Sequence, residues 1–144
     1  MTTAEGSVQA TRIDDLEVVR TPPTHADAQL ITQLMLVDAA TGAHEGYGIL
    51  DEFDSPPTLA QLRKKHPKGS TEYRRVQAFL MSCETLATFV RQGILNEALV
   101  HDLFWVPGAW RMAEKIAKGE RKEAGEPRIF ENFEWLAGRS GATP

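Results

Sequence analysis

The sequence predicts an all-α protein, a single-domain bundle of about six helices. Apolar residues recur at alternating steps of three and four in several segments, which is the period of an amphipathic helix. No segment shows the strict alternation of apolar and polar residues that is typical of a half-buried strand. Helices without strands bury their apolar faces against one another, so we expect a bundle.

The longest of these segments predicts a central helix over residues 70–92. Ser70 can accept hydrogen bonds from the free amides of the first turn, and Gly93 can end the helix in the left-handed conformation. The inner face carries a seam of apolar residues, Val76, Phe79, Cys83, Leu86 and Val90. This helix is the core element around which the others are expected to pack.

Two caps and two proline pairs divide the first half of the chain into shorter helices. Thr24 is the predicted N-cap of a helix that ends near Thr41, followed by a second helix or a kinked continuation to Phe53. Thr58 then caps a short helix that Pro67 closes. Asp27 and Asp38 fall on the inner face of the first helix, where we expect them to meet basic groups from the second half of the chain.

The second half continues in the same way. Asn96 is the predicted cap of a short helix, residues 105–108 are predicted to form a turn, and the next helix covers residues 109–122. Pro127 is placed to open the last helix, which Gly138 would end.

The two ends of the chain lack sustained periodicity. Residues 1–23 are predicted to be a flexible or docked N-terminal tail, residues 24–138 the helical domain, and residues 139–144 a frayed tail.

Composition is that of a soluble globular protein of 144 residues, with 42% hydrophobic and 25% charged residues. No apolar run approaches the roughly 20 residues that cross a bilayer. The N-terminal sequence has neither the basic region nor the apolar core of a secretory signal. Cys83 has no second cysteine to pair with, so we expect a buried thiol in a reducing cytoplasm.

The formal net charge of −4 is unevenly distributed. Residues 1–60 hold ten acidic and two basic side chains, and residues 61–144 hold fourteen basic and ten acidic ones. Such a division indicates either two halves that attract each other, which we favour, or a basic face for a partner.

The motifs of known catalytic and cofactor sites are absent from the sequence. It contains no Glu-x-x-His of di-iron bundles, no cysteine and histidine set for zinc, and no phosphate-binding glycine loop. Glu97 and His101 stand one helical turn apart and could share a proton or a metal, but such pairs are common by chance. We therefore assign no catalytic, cofactor-binding or metal-binding residue and expect no cofactor, although the sequence leaves enzymatic activity uncertain.

The helix over residues 109–122 has one basic face. Its cations recur at steps of four, three and four, and they are Arg111, Lys115, Lys118 and Lys122. A basic back of a helix usually serves solubility, so binding of nucleic acid or another anion is the alternative interpretation.

Three short motifs resemble a known family over about residues 24–137. They are the glutamate-centred helix FLMSCETLATFVRQGILNEALV, the Trp110 segment reaching Arg121, and the closing IFENFEWLAG; the matching positions are Glu84, Gly93, Trp110, Arg121, Phe133, Glu134 and Leu136. The chain resembles the bacterial family called domain of unknown function 4760. Many of its members begin with a membrane-spanning helix, whereas this chain has the polar residues 1–23 in that place. The resemblance implies a small helical domain and brings no reaction or ligand with it.

The resemblance also links Glu84 with Arg121. Both lie at the edge of an apolar helix face, which predicts a partly buried ion pair between the central helix and the Trp110 helix. A ligand pocket or an enzyme site around Glu84, with Tyr73, Trp105 or Trp110, is the least favoured interpretation.

These observations favour a small cytoplasmic interaction module that self-associates through apolar helix faces, as a homodimer, or binds a protein partner. They do not identify the biological process.

Overall fold

The computed structural model describes residues 21–139, and within them it contains seven α-helices and no strand. The helices are α1 His25–Thr41, α2 Ala43–Asp51, α3 Leu59–Lys65, α4 Thr71–Arg91, α5 Glu97–Leu103, α6 Val106–Ala124 and α7 Glu131–Arg139. The predicted all-α single domain is confirmed. The number of helices is close to the expected six. The seventh arises because the segment after Thr24 forms two helices, α1 and α2, and not one kinked helix.

Helix α4 is the centre of the bundle, as the sequence predicted. It lies within the predicted range 70–92 and packs against α1, α2 and α7. Val76, Leu80, Ala87 and Val90 are completely buried along it. The side chain of Ser70 accepts from the amide of Tyr73, so the predicted N-cap is present.

Gly46 sets how closely α2 approaches α4. A Cβ at this position would lie 2.5 Å from the carbonyl oxygen of Arg75 and 2.5 Å from Cβ of Phe79. Both distances are far below van der Waals contact, so any larger side chain would push the two helices apart.

Helix α1 begins with a complete capping box. Thr24 accepts from the amide of Asp27, and the carboxylate of Asp27 accepts from the amide of Thr24 at 2.7 Å. The same carboxylate accepts from the backbone amide of Asn96 at 2.9 Å, which joins the start of α1 to the start of α5. The expectation that Asp27 meets a basic group is therefore wrong, because backbone amides supply its partners.

Two predicted boundaries in the second half are also wrong. Residues 105–108 do not form a separate turn, because α6 already begins at Val106 with Pro107 in its first turn, where a proline removes no helical hydrogen bond. Pro127 does not open the last helix. The chain turns over residues 127–130, Phe130 has a positive φ of 56°, and α7 begins after it at Glu131.

The C-terminal boundary differs as well. Helix α7 continues through Gly138 to Arg139, and the Arg139 side chain is 1% exposed. Arg139 therefore belongs to the domain and not to a frayed tail. The prediction for residues 140–144 falls outside the described residues, as does the prediction for residues 1–20. Thr21 contacts the body, since its carbonyl oxygen accepts from Nδ2 of Asn96 at 2.7 Å.

The described part of the chain contains no helix that is both long and apolar enough to cross a membrane.

Candidate functional site

The carboxylate of Glu84 binds the N-terminus of α7. Oε2 accepts from the amide of Phe133 at 2.8 Å, and Oε1 accepts from Nδ2 of Asn132 at 2.9 Å and from its amide at 3.3 Å. These amides belong to the first turn of α7, where no helical carbonyl can pair with them. Because Phe130 in front of the helix has no side chain that accepts a hydrogen bond, Glu84 on α4 acts as the missing cap.

Two opposing effects act on the pKa of Glu84. Burial raises this pKa, because it disfavours the charged form, and the amides of Phe133 and Asn132 partly offset the rise. The positive end of the α7 dipole also favours the charged carboxylate. With both oxygens bound to α7, Glu84 holds two helices together and presents no free oxygen for chemistry.

Arg121 has different partners, so the predicted Glu84–Arg121 ion pair is corrected. Its Nε donates to the carbonyl oxygen of Ile129 at 2.7 Å, and its Nη1 donates to Glu134 at 3.1 Å. The guanidinium also lies 5.7 Å from the centre of the Trp110 ring. The turn over residues 127–130 brings the Ile129 carbonyl to Arg121, which fixes the guanidinium on α7 away from the Glu84 carboxylate.

A groove opens between α1, α2, α4 and the start of α6, with a volume of about 410 Å³. Its walls are mostly apolar, and five aromatic residues contribute to them: Tyr47, Phe79, Phe104, Trp105 and Phe133. Tyr47 and Phe79 pack edge to face with ring centres 6.0 Å apart. This is the size and character of cavities that bind small ligands.

Trp105 forms the exposed wall of this groove. It is 68% exposed, and its ring lies on Gly108, where a Cβ would come within 2.3 Å of the ring. The guanidinium of Arg111 lies 5.6 Å from the centre of the same ring. Gly108 thus allows an aromatic ring to approach the first turn of α6 closely, and Arg111 already places a cation by this ring.

Asp38 and Cys83 add polar atoms to the groove. Asp38 is partly buried, and within the described residues its carboxylate has neither a hydrogen bond nor an ion pair. The expectation that it meets a basic group from the second half is therefore wrong. Burial raises the pKa of the Cys83 thiol, and the charges of Asp38 and Glu84 raise it further. Cys83 is consequently a poor nucleophile.

The four cations predicted to form a basic face lie on the outer side of α6, and all are exposed. Lys118 is bound to Glu114 at 2.5 Å, which also raises the pKa of the lysine. Arg111 lies on Trp105 as described, whereas Lys115 and Lys122 have no acidic partner among the residues that the structure describes. The basic face therefore offers fewer than four unpaired positive charges to a partner.

A buried polar cluster joins α5 to the end of α7. The guanidinium of Arg139 binds the Glu97 carboxylate in a bidentate pair. Nε donates at 2.5 Å and Nη2 at 2.9 Å, and both side chains are 1% exposed. His101 Nε2 lies 3.5 Å from Glu97, and the Arg139 guanidinium lies 4.8 Å from the centre of the Trp135 ring. Nowhere in residues 21–139 do three metal-ligating side chains form a cluster, so the Glu97–His101 pair lacks further ligands.

Sequence reasoning missed three of these features. It named Glu97 without its partner because Arg139 lies 42 residues later, at a position that follows a glycine. It identified Glu84 as unusual but assigned the wrong partner. The signal for Asp38 was present, since an aspartate on the inner face of α1 with no basic residue one turn away already indicates a carboxylate in need of a partner.

The fold and these sites define a small all-α domain built around a central helix, with an apolar groove on one side and no cluster of three metal-ligating side chains in the described residues. The chain belongs to the family Domain of unknown function (DUF4760), whose model matches residues 24–140. The match covers most of the chain and includes Arg139, consistent with its place in the core. Neither the curated proteins nor the solved structures contain a significant match to this chain.

Proposed function

We propose that this protein is an interaction module that forms a homodimer through the outer face of α1. That face consists of Ala26, Gln29, Gln33, Leu36, Val37 and Ala40, all of which are exposed. It carries no charged residue. The single observation behind the proposal is this uncharged, exposed face on a helix whose two aspartates, Asp27 and Asp38, both lie on the inner side.

The outer face of a surface helix is normally covered with charged and strongly polar side chains. Here Leu36 is 66% and Val37 is 56% exposed. Burying one such side chain stabilises a complex by about 1.5–3 kcal/mol. These two side chains contribute little to the packing of the residues that the structure describes, which favours a partner that covers them.

A second copy of α1 fits this face better than a charged partner. Two uncharged faces can meet across a two-fold axis without like-charge repulsion. Ala26 and Ala40 allow close approach of the backbones, and Gln29 and Gln33 can exchange hydrogen bonds across the axis. Because one helix face is a small interface, we expect a dimer that dissociates at micromolar concentrations.

Sedimentation equilibrium over a range of protein concentrations tests the proposal. The double variant Leu36→Glu with Val37→Glu should be monomeric throughout, because it places four carboxylates in the interface. Met81→Glu is the matched control, since Met81 is 54% exposed on α4 and outside the proposed face. A parent protein that stays monomeric at high micromolar concentration would contradict the proposal.

Binding of an anion or nucleic acid to the basic face is the second candidate. Lys115 and Lys122 support it, because both are exposed and have no acidic partner in residues 21–139. The net charge of −4 and the Glu114–Lys118 pair weaken it. If it holds, the protein will be retained on a DNA matrix at low salt and released as salt rises, and the Lys115→Gln, Lys122→Gln variant will lose this retention.

We further propose a cytoplasmic location in a bacterial cell. The free thiol of Cys83 and the lack of a second cysteine fit a reducing compartment. An enzyme site at Glu84 is disfavoured, because both oxygens of that carboxylate are bound to α7.

A further inference from the structure

We propose that the groove between α1, α4 and α6 binds a small lipophilic cation, such as a quaternary ammonium or amine with an apolar body. This goes beyond self-association, which uses the opposite face of α1. The juxtaposition that carries the proposal is an aromatic cavity with a partly buried carboxylate, Asp38, that has no partner within the described residues.

The cavity has the size of a ligand site and not of a packing defect. Its volume of about 410 Å³ exceeds the space that a few missing methyl groups would leave. The apolar walls favour an uncharged body, because transfer of that body from water is favourable.

The sign of the ligand charge follows from the groove itself. Asp38 is the carboxylate among the lining residues that the structure describes, and these include no lysine or arginine. The Arg111 guanidinium lies outside the lining, over the ring of Trp105. Arg75 is the basic residue of α4 that is nearest in sequence to the groove-lining residues of this helix, and it is bound to Glu45 at 2.7 Å. His44 is more than half exposed, and its Nδ1 lies 3.3 Å from the backbone oxygen of Asp38, so it leaves the Asp38 carboxylate uncompensated.

Aromatic faces add a second attraction for the same ligand. Tyr47, Phe79 and Phe104 line the groove, and the negative faces of such rings attract cations, most strongly those that are weakly hydrated. A quaternary ammonium group is such a cation. An anion would face both Asp38 and these rings and would be repelled, and a neutral ligand would gain from the walls alone.

The test compares three probes of equal length: a phenylbutyl trimethylammonium ion, its neutral isostere with a tert-butyl group, and a phenylalkyl carboxylate. Binding to the full chain is measured by calorimetry. We expect the cation to bind about tenfold more tightly than the neutral isostere, and the carboxylate to bind more weakly than either. In Asp38→Asn the preference for the cation should fall several-fold, because only the aromatic rings then attract its charge.

Asp102→Asn is the matched control, because Asp102 is exposed on α5 and outside the groove, and it should keep the preference for the cation. Trp105→Leu provides a second, independent variant. Its side chain is 68% exposed, so the bundle should fold normally, while the cation and its neutral isostere both lose an apolar wall and bind more weakly.

Three results would overturn the proposal: equal binding of the cation and its neutral isostere, a preference that is undiminished in Asp38→Asn, or no binding of the cation at millimolar concentration. The Leu36→Glu, Val37→Glu variant separates this proposal from dimer formation. If the groove acts within one protomer, that variant binds the cation as the parent does, whatever its oligomeric state.

Discussion

Replacing Glu84 by glutamine tests how α7 is held on the bundle. Glutamine keeps the shape of the side chain and one acceptor oxygen, but it presents an NH₂ group where the second oxygen accepted a hydrogen bond. One amide at the start of α7, that of Asn132 or Phe133, is then left without a partner. The protein should still fold, because the apolar contacts of α4 with α7 are unchanged.

The expected loss follows from these contacts. A buried donor left unsatisfied costs about 1–3 kcal/mol, and the lost charge at a helix N-terminus adds about 0.3–1 kcal/mol. Burial of the charged form, which raises the pKa of Glu84, reduces the net loss. We therefore expect Glu84→Gln to lower the free energy of unfolding by about 2 kcal/mol, measured by urea denaturation with tryptophan fluorescence.

Double-mutant cycles then identify the partner. Glu84→Gln combined with Asn132→Ala should show a coupling of about 1 kcal/mol, whereas the combination with Arg121→Met should show less than about 0.5 kcal/mol. Arg121→Met should instead couple with Glu134→Gln, since those side chains are 3.1 Å apart. A coupling of Glu84 with Arg121 as large as that with Asn132 would refute this account and restore the direct ion pair.

Three further measurements test other contacts. Arg139→Met should lower the free energy of unfolding by about 3–5 kcal/mol, because it leaves the buried Glu97 carboxylate without its guanidinium; replacing both residues by methionine should recover most of it, and an unchanged single variant would contradict the pair. Asp27 has a pKa below its ordinary value of 3.8, because hydrogen bonds from backbone amides outweigh the opposing effect of burial, so its contribution is present above pH 3.8 and is lost as the pH falls towards the lowered pKa. The stability difference between the parent and Asp27→Asn should therefore shrink in acid, and a difference that persists unchanged in urea titrations at low pH would argue against it. Cys83 should react with iodoacetamide more than about tenfold slower than a free cysteine and at the full rate in urea; fast reaction in the folded protein would show an accessible thiolate.

The parts of the fold that the sequence predicted correctly depend mostly on contacts between residues close together in the chain. Thr24, Ser70, Thr58 and Asn96 each cap a helix as expected, because a cap depends on a hydrogen bond to the residue three positions later. Such contacts are visible in any short window of sequence. The central helix and the all-α class follow from the same kind of information.

The errors concern contacts between distant residues. The start of α7 depends on Phe130 with its positive φ and on Glu84, which lies on another helix. Helix α7 continues past Gly138 to Arg139, whose guanidinium binds the buried Glu97 on α5. The sequence indicated that Glu84 was unusual and related Glu97 only to His101. Contacts with distant residues decided which groups these two carboxylates meet.

Three carboxylates of this domain connect helices through hydrogen bonds, whereas the carboxylate of Asp38 makes no such connection among the described residues. Asp27 binds the start of α5, Glu84 binds the start of α7, and Glu97 binds Arg139 at its end, so each offsets the cost of its burial with hydrogen bonds between helices. Asp38 is partly buried like Glu84 but has no such bond within residues 21–139. A cation in the groove would supply the partner that the described residues do not. This contrast, more than the size of the groove, is why the ligand proposal depends on Asp38.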